Sequence, residues 1–324
     1  MPGWSVERIL HFAGEDFLVG GLAHFGFHLP DGRYVAISHP RHHLAMIDQN
    51  GRPAWTVAAQ PTMAGVPNIS ADLRYPMFAD LLVDGSLIVS NFGDARLYRI
   101  EPWSLSASVL VDGRALGMVD MGNCIVDHAG SIWVNEVTGC RVWRFDPSGR
   151  VLLTLGDGQP GFDGRPTAFE GVRFNWIYDI RLGTDGRVHV LDSRNFALRA
   201  IDLDAGRVLT IAGNGKPGIF GSDPTAKFDG PISLALDERG NAYVGDRRNH
   251  VLKQVSLADG SVTTIAGRAD FDDETANDPT EHDPLRLNLP QISSLDFAAG
   301  RLYLPTDLAG ERGDLAVLAR RQDG

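Results

Sequence analysis

The sequence is poor in cysteine, in long apolar runs and in clustered positive charge. Cys124 and Cys140 are its only cysteines, too few for a disulfide framework and suited to a reducing compartment. No stretch approaches the roughly 20 apolar residues of a membrane-spanning helix, so no membrane partner is expected. The N-terminal residues Met1 to Arg8 lack a basic segment leading into an apolar one. No signal peptide is therefore expected, and the expected location is cytoplasmic. Basic residues occur singly or in pairs such as Arg247-Arg248, and the formal net charge is -11. That charge repels phosphate backbones and argues against nucleic acid as a partner. Long runs of helical period are missing too. What is present, 43% hydrophobic and 22% charged residues, is enough to bury a core.

The positive signal is a repeat. Six short alternating strands each follow a turn glycine: Gly32, Gly85, Gly130, Gly186, Gly240 and Gly300. The intervals match the chain needed for one four-stranded propeller blade. Twelve residues after the first five glycines stands an apolar residue opening another strand: Leu44, Leu97, Val142, Leu198 and Leu252. In the last repeat the corresponding residue is Leu315, after a longer turn. Upstream of each glycine lies a third run, read as the innermost strand: 25–29, 78–83, 124–126, 177–182, 232–236 and 292–295. Downstream lies a fourth, outer strand, as in Val151–Leu155, Val208–Gly213 and Val262–Gly267. The last repeat lacks one. Val6 to Gly14 matches the missing strand in pattern, so it is expected to join blade six and close the ring, leaving no open edge. The expected fold is all-β: one six-bladed β-propeller of four-stranded antiparallel blades, occupying residues 1–324 as a single domain.

Thr210 to Gly218, Gly230 to Asp246 and Asn249 to Val255 together resemble the NHL repeat. Blade five matches nearly throughout, blade four closely, and blades one, two and six are degenerate. The resemblance covers the chain and speaks to fold. Propellers of this kind include amidating lyases, distant lactonase and strictosidine-synthase-like relatives, and binding modules, so function must be argued from the site.

The start of each inner strand and the turn between second and third strands share one face, the channel mouth. The glycine register places Asn123, Asp179 and Ser233 there in blades three to five. His28, Arg181, Ala235 and Ser294 fall one layer deeper. Blade one adds Gly26 with His24 nearby, and blade two adds Ala79 or Asp80. Asn123 and Asp179 are suitable oxygen ligands for a divalent cation, Ca²⁺ or Zn²⁺, on the channel axis. This resembles the metal site of propeller lactonases, but blade one offers no matching Glu. The amidating lyases' channel histidines are also missing. Hydrogen bonding of Asn123 and Asp179 to rim amides is the other reading.

The second-to-third-strand turns carry Asp192 to Asn195, with Arg194, in blade four and Asp246 to His250 in blade five. These acids and amides are expected to cap their own turns. Blade one differs: His24, His28, His39, His42 and His43 gather within 20 residues. Histidine titrates near neutral pH and suits proton transfer. The expected enzyme acts on a small molecule by metal- or histidine-assisted hydrolysis, elimination or cyclisation. In it His42 or His43 moves protons and Glu136 partners it. Asn123 with Asp179 holds a cation or the substrate, and His24, His28, His39, Arg181 and Arg194 contact the substrate. The alternative is a scaffold presenting its face to a protein partner. The acidic run Asp270 to Asp283 is expected to be a solvated connection. Leu308 to Asp314 is either a lid or a neutral insertion. Cys124 is expected to be an inert buried thiol and Cys140 a weak nucleophile.

Overall fold

The computed structural model describes residues 4–13, 25–29, 32–218, 228–268, 275–292, 294–308 and 312–320. Six sheets form the six blades of a β-propeller. The glycine register has a conformational cause. Gly32, Gly85, Gly130, Gly186, Gly240 and Gly300 all have φ between +75° and +84°, in the first-to-second-strand turns where a side chain would be strained. In blade three the preceding Asp127 Oδ1 accepts from Ala129 N and Ser131 N, closing the turn.

The ring closes as the sequence pattern predicts. Trp4–Ala13 pairs antiparallel with Arg312–Arg320, Trp4 opposite Arg320 and Ala13 opposite Arg312. It becomes the outermost strand of blade six. The second strands of blades two, three and four are buried along their whole length, whereas the outer strand of blade three, Val151–Leu155, is mostly exposed. The buried apolar residues form one cluster spanning blades one to four, and two more around blades four to six.

Two blades carry more than four strands. Asn68–Ser70 adds a parallel fifth strand outside Pro53–Ala58 in blade one. Thr167–Ala168 pairs outside Arg207–Gly213 in blade four. The inner strands of blades two and six are also shifted from expectation. In blade two the strand is Pro76–Leu81, and Val83 is an exposed turn residue. In blade six it is Asp296–Ala298, preceded by a single bridge from Ile292 to Thr306. The blade-two register resolves the choice between Ala79 and Asp80. Phe78 pairs with Ser90 as Asp179 pairs with Leu191, so Phe78 holds the mouth position. Asp80 lies one layer deeper, level with Arg181.

The inner strands of blades two, four and five share an irregularity at the mouth. The pairing register slips between Pro76 and Phe78, between Ile177 and Asp179, and between Pro231 and Ser233. Met77, Tyr178 and Ile232 are the extra residues. A bulge leaves its extra residue unpaired and re-aims the side chain.

A candidate ligand pocket at the channel mouth

The mouth face is built on one repeated buried slot at the end of each second strand. Glu136, Asp192 and Asp246 occupy it in blades three, four and five, all at 0% exposure. Seventeen residues upstream, a loop amide donates to each: Val119 N at 2.7 Å, Asn175 N at 2.7 Å and Asp229 N at 2.8 Å. Seven residues downstream, a third-strand side chain supplies a second donor. Trp143 Nε1 lies 2.7 Å from Glu136, Arg199 Nη1 3.4 Å from Asp192, and Lys253 Nζ 2.7 Å from Asp246. Burial pushes Asp192 up to about 6 against the pull of Asn195, Asn175 and Arg199. Asn195 and Asn249 complete the turns by donating to Asp192 and Asp246.

These slots hold the turns above them rigidly. Ser193 N and Arg194 N donate to the carbonyls of Trp176 and Asn175. Arg247 N and Arg248 N donate in the same way to Gly230 and Asp229. The two clamped turns, with bulge residues Tyr178 and Ile232, enclose an open pocket of about 790 Å³ between blades four and five. Trp176, Tyr178, Phe196 and Ile232 supply apolar surface, and Arg194, Arg247 and Arg248 supply charge. The Arg194 guanidinium lies 3.7 Å from the centre of the Trp176 ring. Tyr178 is held above the usual phenol range by burial, with Arg247 pulling the other way.

Of the described residues singled out in the sequence as catalytic, metal or substrate contacts, only Arg194 lines this pocket. Asn123 and Asp179 do meet: Asn123 Nδ2 donates to Asp179 Oδ1 at 2.5 Å. Arg181 Nη1 reaches the same oxygen at 2.6 Å, and Leu234 N donates to the other at 2.9 Å. Arg181 also covers the Phe78 ring at 4.3 Å. Burial pushes Asp179 up to about 6 despite Arg181. Both Asp179 oxygens are thus committed to protein donors, and the positive charge beside them is a guanidinium. This donor set does not fit a hard cation. Among the described residues, no three His, Cys, Asp or Glu side chains are grouped to hold a metal.

The blade-one histidines are spread apart. His39 and His42 flank Tyr75 at the blade-one to blade-two junction. His42 Nδ1 accepts from Tyr75 N at 3.0 Å, and His39 Nδ1 lies 3.2 Å from the Pro76 carbonyl. His42 has φ +58°, the left-handed turn position that Cys140, Phe196 and His250 fill in other blades. His43 is buried at the start of the third strand. His28 sits at the far end of the channel, its Nδ1 2.5 Å from Asp296 Oδ2. His24 lies outside the described residues. Glu136 does not face these histidines across the channel. It is a turn acid whose oxygens accept from Val119 N, Arg141 and Trp143.

Cys124 is buried and its thiol is pushed up to about 12 by burial, which makes it inert. Cys140 is buried too, its thiol raised by burial and receiving a bond from Trp176 N at 3.5 Å. In the acidic connection, residues 269–274 lie outside the described residues. Beyond them, Asp278 and Asp283 close local turns onto Thr280 and Leu285. The blade-six insertion lengthens the hairpin, with Leu308 opposite Arg312. Its tip, 309–311, lies outside the described residues, as do the side chains of 307–314.

Trp176, Tyr178, Phe196, Ile232, Arg247 and Arg248 were not singled out as binding residues. The signal was available. Arg194 and Arg248 occupy equivalent positions of adjacent turns, and Tyr178 and Ile232 immediately precede the mouth positions Asp179 and Ser233.

Fold and site together define a six-bladed β-propeller with an arginine- and aromatic-lined pocket on its mouth face. No family model matches the chain. Protein SUPPRESSOR OF QUENCHING 1, chloroplastic, of Arabidopsis thaliana is 33% identical over 198 residues, which is 59% of this chain and 18% of that protein. The chain thus spans less than a fifth of the length of the relative it matches. Among solved structures, an auxiliary nutrient binding protein from Bacteroides ovatus superposes with TM-score 0.65 at 14% identity, over 98% of this chain and 77% of that one. A Bacteroides thetaiotaomicron protein of unknown function gives 0.64 at 16% identity, over 96% and 76%. Virginiamycin B lyase from Staphylococcus aureus gives 0.56 at 13% identity, over 96% and 98%. At these identities the likeness is one of fold. No helix among the described residues is long and apolar enough to cross a membrane.

Proposed function

We propose that the protein binds and acts on a small molecule in the pocket between blades four and five. The observation that carries this reading is the pocket itself. It is concave, about 790 Å³ in volume, and walled by aromatic and cationic side chains on clamped turns. Small-molecule sites have volumes of roughly 300–1,000 Å³ and combine apolar walls with a few fixed polar groups. The reading moves the site from the blade-one histidines to blades four and five, the two blades closest to the NHL repeat. His39 and His42 spend Nδ1 on holding the blade-two strand, which favours a structural role for them. Hydrolysis or elimination is the finer proposal, one of the fold neighbours being named a lyase. In it the arginines stabilise an oxyanion on the ligand, and Tyr178, protonated at neutral pH, donates to it.

The test is direct. The indole N–H resonance of Trp176 is assigned by its loss in Trp176→Phe. A library of small acids and neutral ring compounds is then titrated, and turnover is followed by mass change. Binders are expected to shift the Trp176 signal. Binders that move the signal of Trp103 instead, or no binder at all, would sink the reading.

A further inference from the structure

We infer that this pocket selects a planar ring bearing an oxyanion, a carboxylate or a phosphate; the inference rests on the pocket being the ligand site. The charge balance points to it. The chain carries a net charge of -11, yet among the described residues the charged side chains lining the pocket are Arg194, Arg247 and Arg248. The acids beneath are already partnered. Asp246 has Lys253 at 2.7 Å, and Asp192 has Arg199 at 3.4 Å. Asp229 lies 3.4 Å from Arg248, whose side chain is 69% exposed. Arg194 and Arg247 make no ion pair with a described residue.

Geometry adds specificity to the charge. The Arg194 guanidinium lies over the Trp176 ring at 3.7 Å, and its N–H groups, in no ion pair with a described residue, are placed to meet a carboxylate or phosphate. The backbone of both arginine turns is fixed by paired bonds, so little ordering is required when a ligand arrives. Arg194 projects from blade four and Arg247 with Arg248 from blade five. An anion between them is met from both sides, while the ring rests on Tyr178, Phe196 and Ile232. Guanidinium–oxyanion pairs are the stronger, directional kind of hydrogen bond. The same cations repel ammonium ligands, which narrows the class further.

The experiment compares four probes at the Trp176 resonance and by calorimetry: isophthalate, phenyl phosphate, uncharged isophthalamide and inorganic phosphate. Isophthalate or phenyl phosphate is expected to bind at least about tenfold more tightly than isophthalamide and inorganic phosphate. Whichever of the two binds more tightly identifies the anion. Arg247→Gln and Arg248→Gln, both at exposed turn positions, are each expected to weaken that ligand by about tenfold and to flatten its salt dependence. Isophthalamide binding as tightly as isophthalate overturns the anion class while the pocket stands. Inorganic phosphate binding as tightly as phenyl phosphate overturns the ring. A Trp176 signal unmoved by all four removes the pocket reading as well.

Discussion

Glu136 shows how a residue's neighbours decide its role. As a lone acid on the mouth face it has the credentials of a catalytic partner. In the fold it is wholly buried, accepting from Val119 N, Arg141 and Trp143 Nε1. Removing a buried carboxylate strands those donors, and breaking a buried pair costs about 3–5 kcal/mol. Glu136→Ala is therefore expected to lower the unfolding free energy from urea titration by that amount and to leave ligand affinity at the blade-four/five pocket within about twofold. An unchanged midpoint with lost turnover would return Glu136 to catalysis. The sequence hid this role because the blade-three turn is written Glu136-Val137-Thr138-Gly139, without the Asp and Asn of blades four and five. Only the shared offsets, seventeen residues back and seven forward, place Glu136 in the same slot. Conversely, the histidine cluster looked concentrated because sequence proximity was read as spatial convergence. His28 and His42 stand at opposite ends of one blade.

At the scale of the strand, what was legible is what period and glycine encode. Six turns with φ near +80° demand glycine, and the alternating runs beside them demand strands. What was not legible is the one-residue slip at the mouth. A bulge leaves no signature in an alternating pattern this short, so the inner strand of blade two was misplaced and Phe78 missed. The slip sets which residues enter the deeper channel layer. There Asp80 Oδ2 accepts from Val126 N at 2.8 Å and ties blade two to blade three. Burial pushes its carboxyl up to about 6, opposed by bonds from Val126 and Leu81 and by Arg181. In the unfolded chain it titrates near 3.9. Between those values the folded state keeps a proton that the unfolded state has released. Its contribution to stability therefore falls as pH rises from about 4 to about 6, and the loss is complete above that. Asp80→Asn keeps an acceptor for Val126 N and removes the titration. Unfolding free energies from urea titrations at several pH values should decline less steeply between pH 4 and 6 in the variant, by up to about 3 kcal/mol. Parallel profiles would show that Asp80 is ionised in the fold throughout.

The whole molecule depends on a closure made by residues far apart in the chain. Trp4 through Ala13 forms the outer strand of blade six, and Trp4 reaches beyond its own blade. Its ring packs edge-on to Tyr243 of blade five at 5.5 Å, and Arg320 lies over it at 5.3 Å. Its indole N–H points to Gln254 at 3.4 Å. Arg320 in turn pairs with Asp237, the turn acid of blade five. Val6 N donates to His282 O in the connection between these blades. The strand is thus held by its own pairing and by a corner that locks blade six to blade five. Trp4 is 3% exposed, and truncating a buried tryptophan costs about 3–5 kcal/mol. Trp4→Ala is expected to lose that much in urea unfolding, with the register of the remaining strand intact. Deleting residues 4–13 should do more, because it leaves Arg312–Arg320 as an unpaired edge. Such edges recruit other chains, so light scattering of the deletion variant should report association that Trp4→Ala does not produce. A deletion variant that stays monomeric with an unchanged urea midpoint would mean that the ring does not depend on this strand. The pocket between blades four and five lies on the other side of blade five from that corner. Ligand binding in Trp4→Ala should therefore match the parent below its unfolding transition, separating the stability of the ring from the chemistry of its mouth.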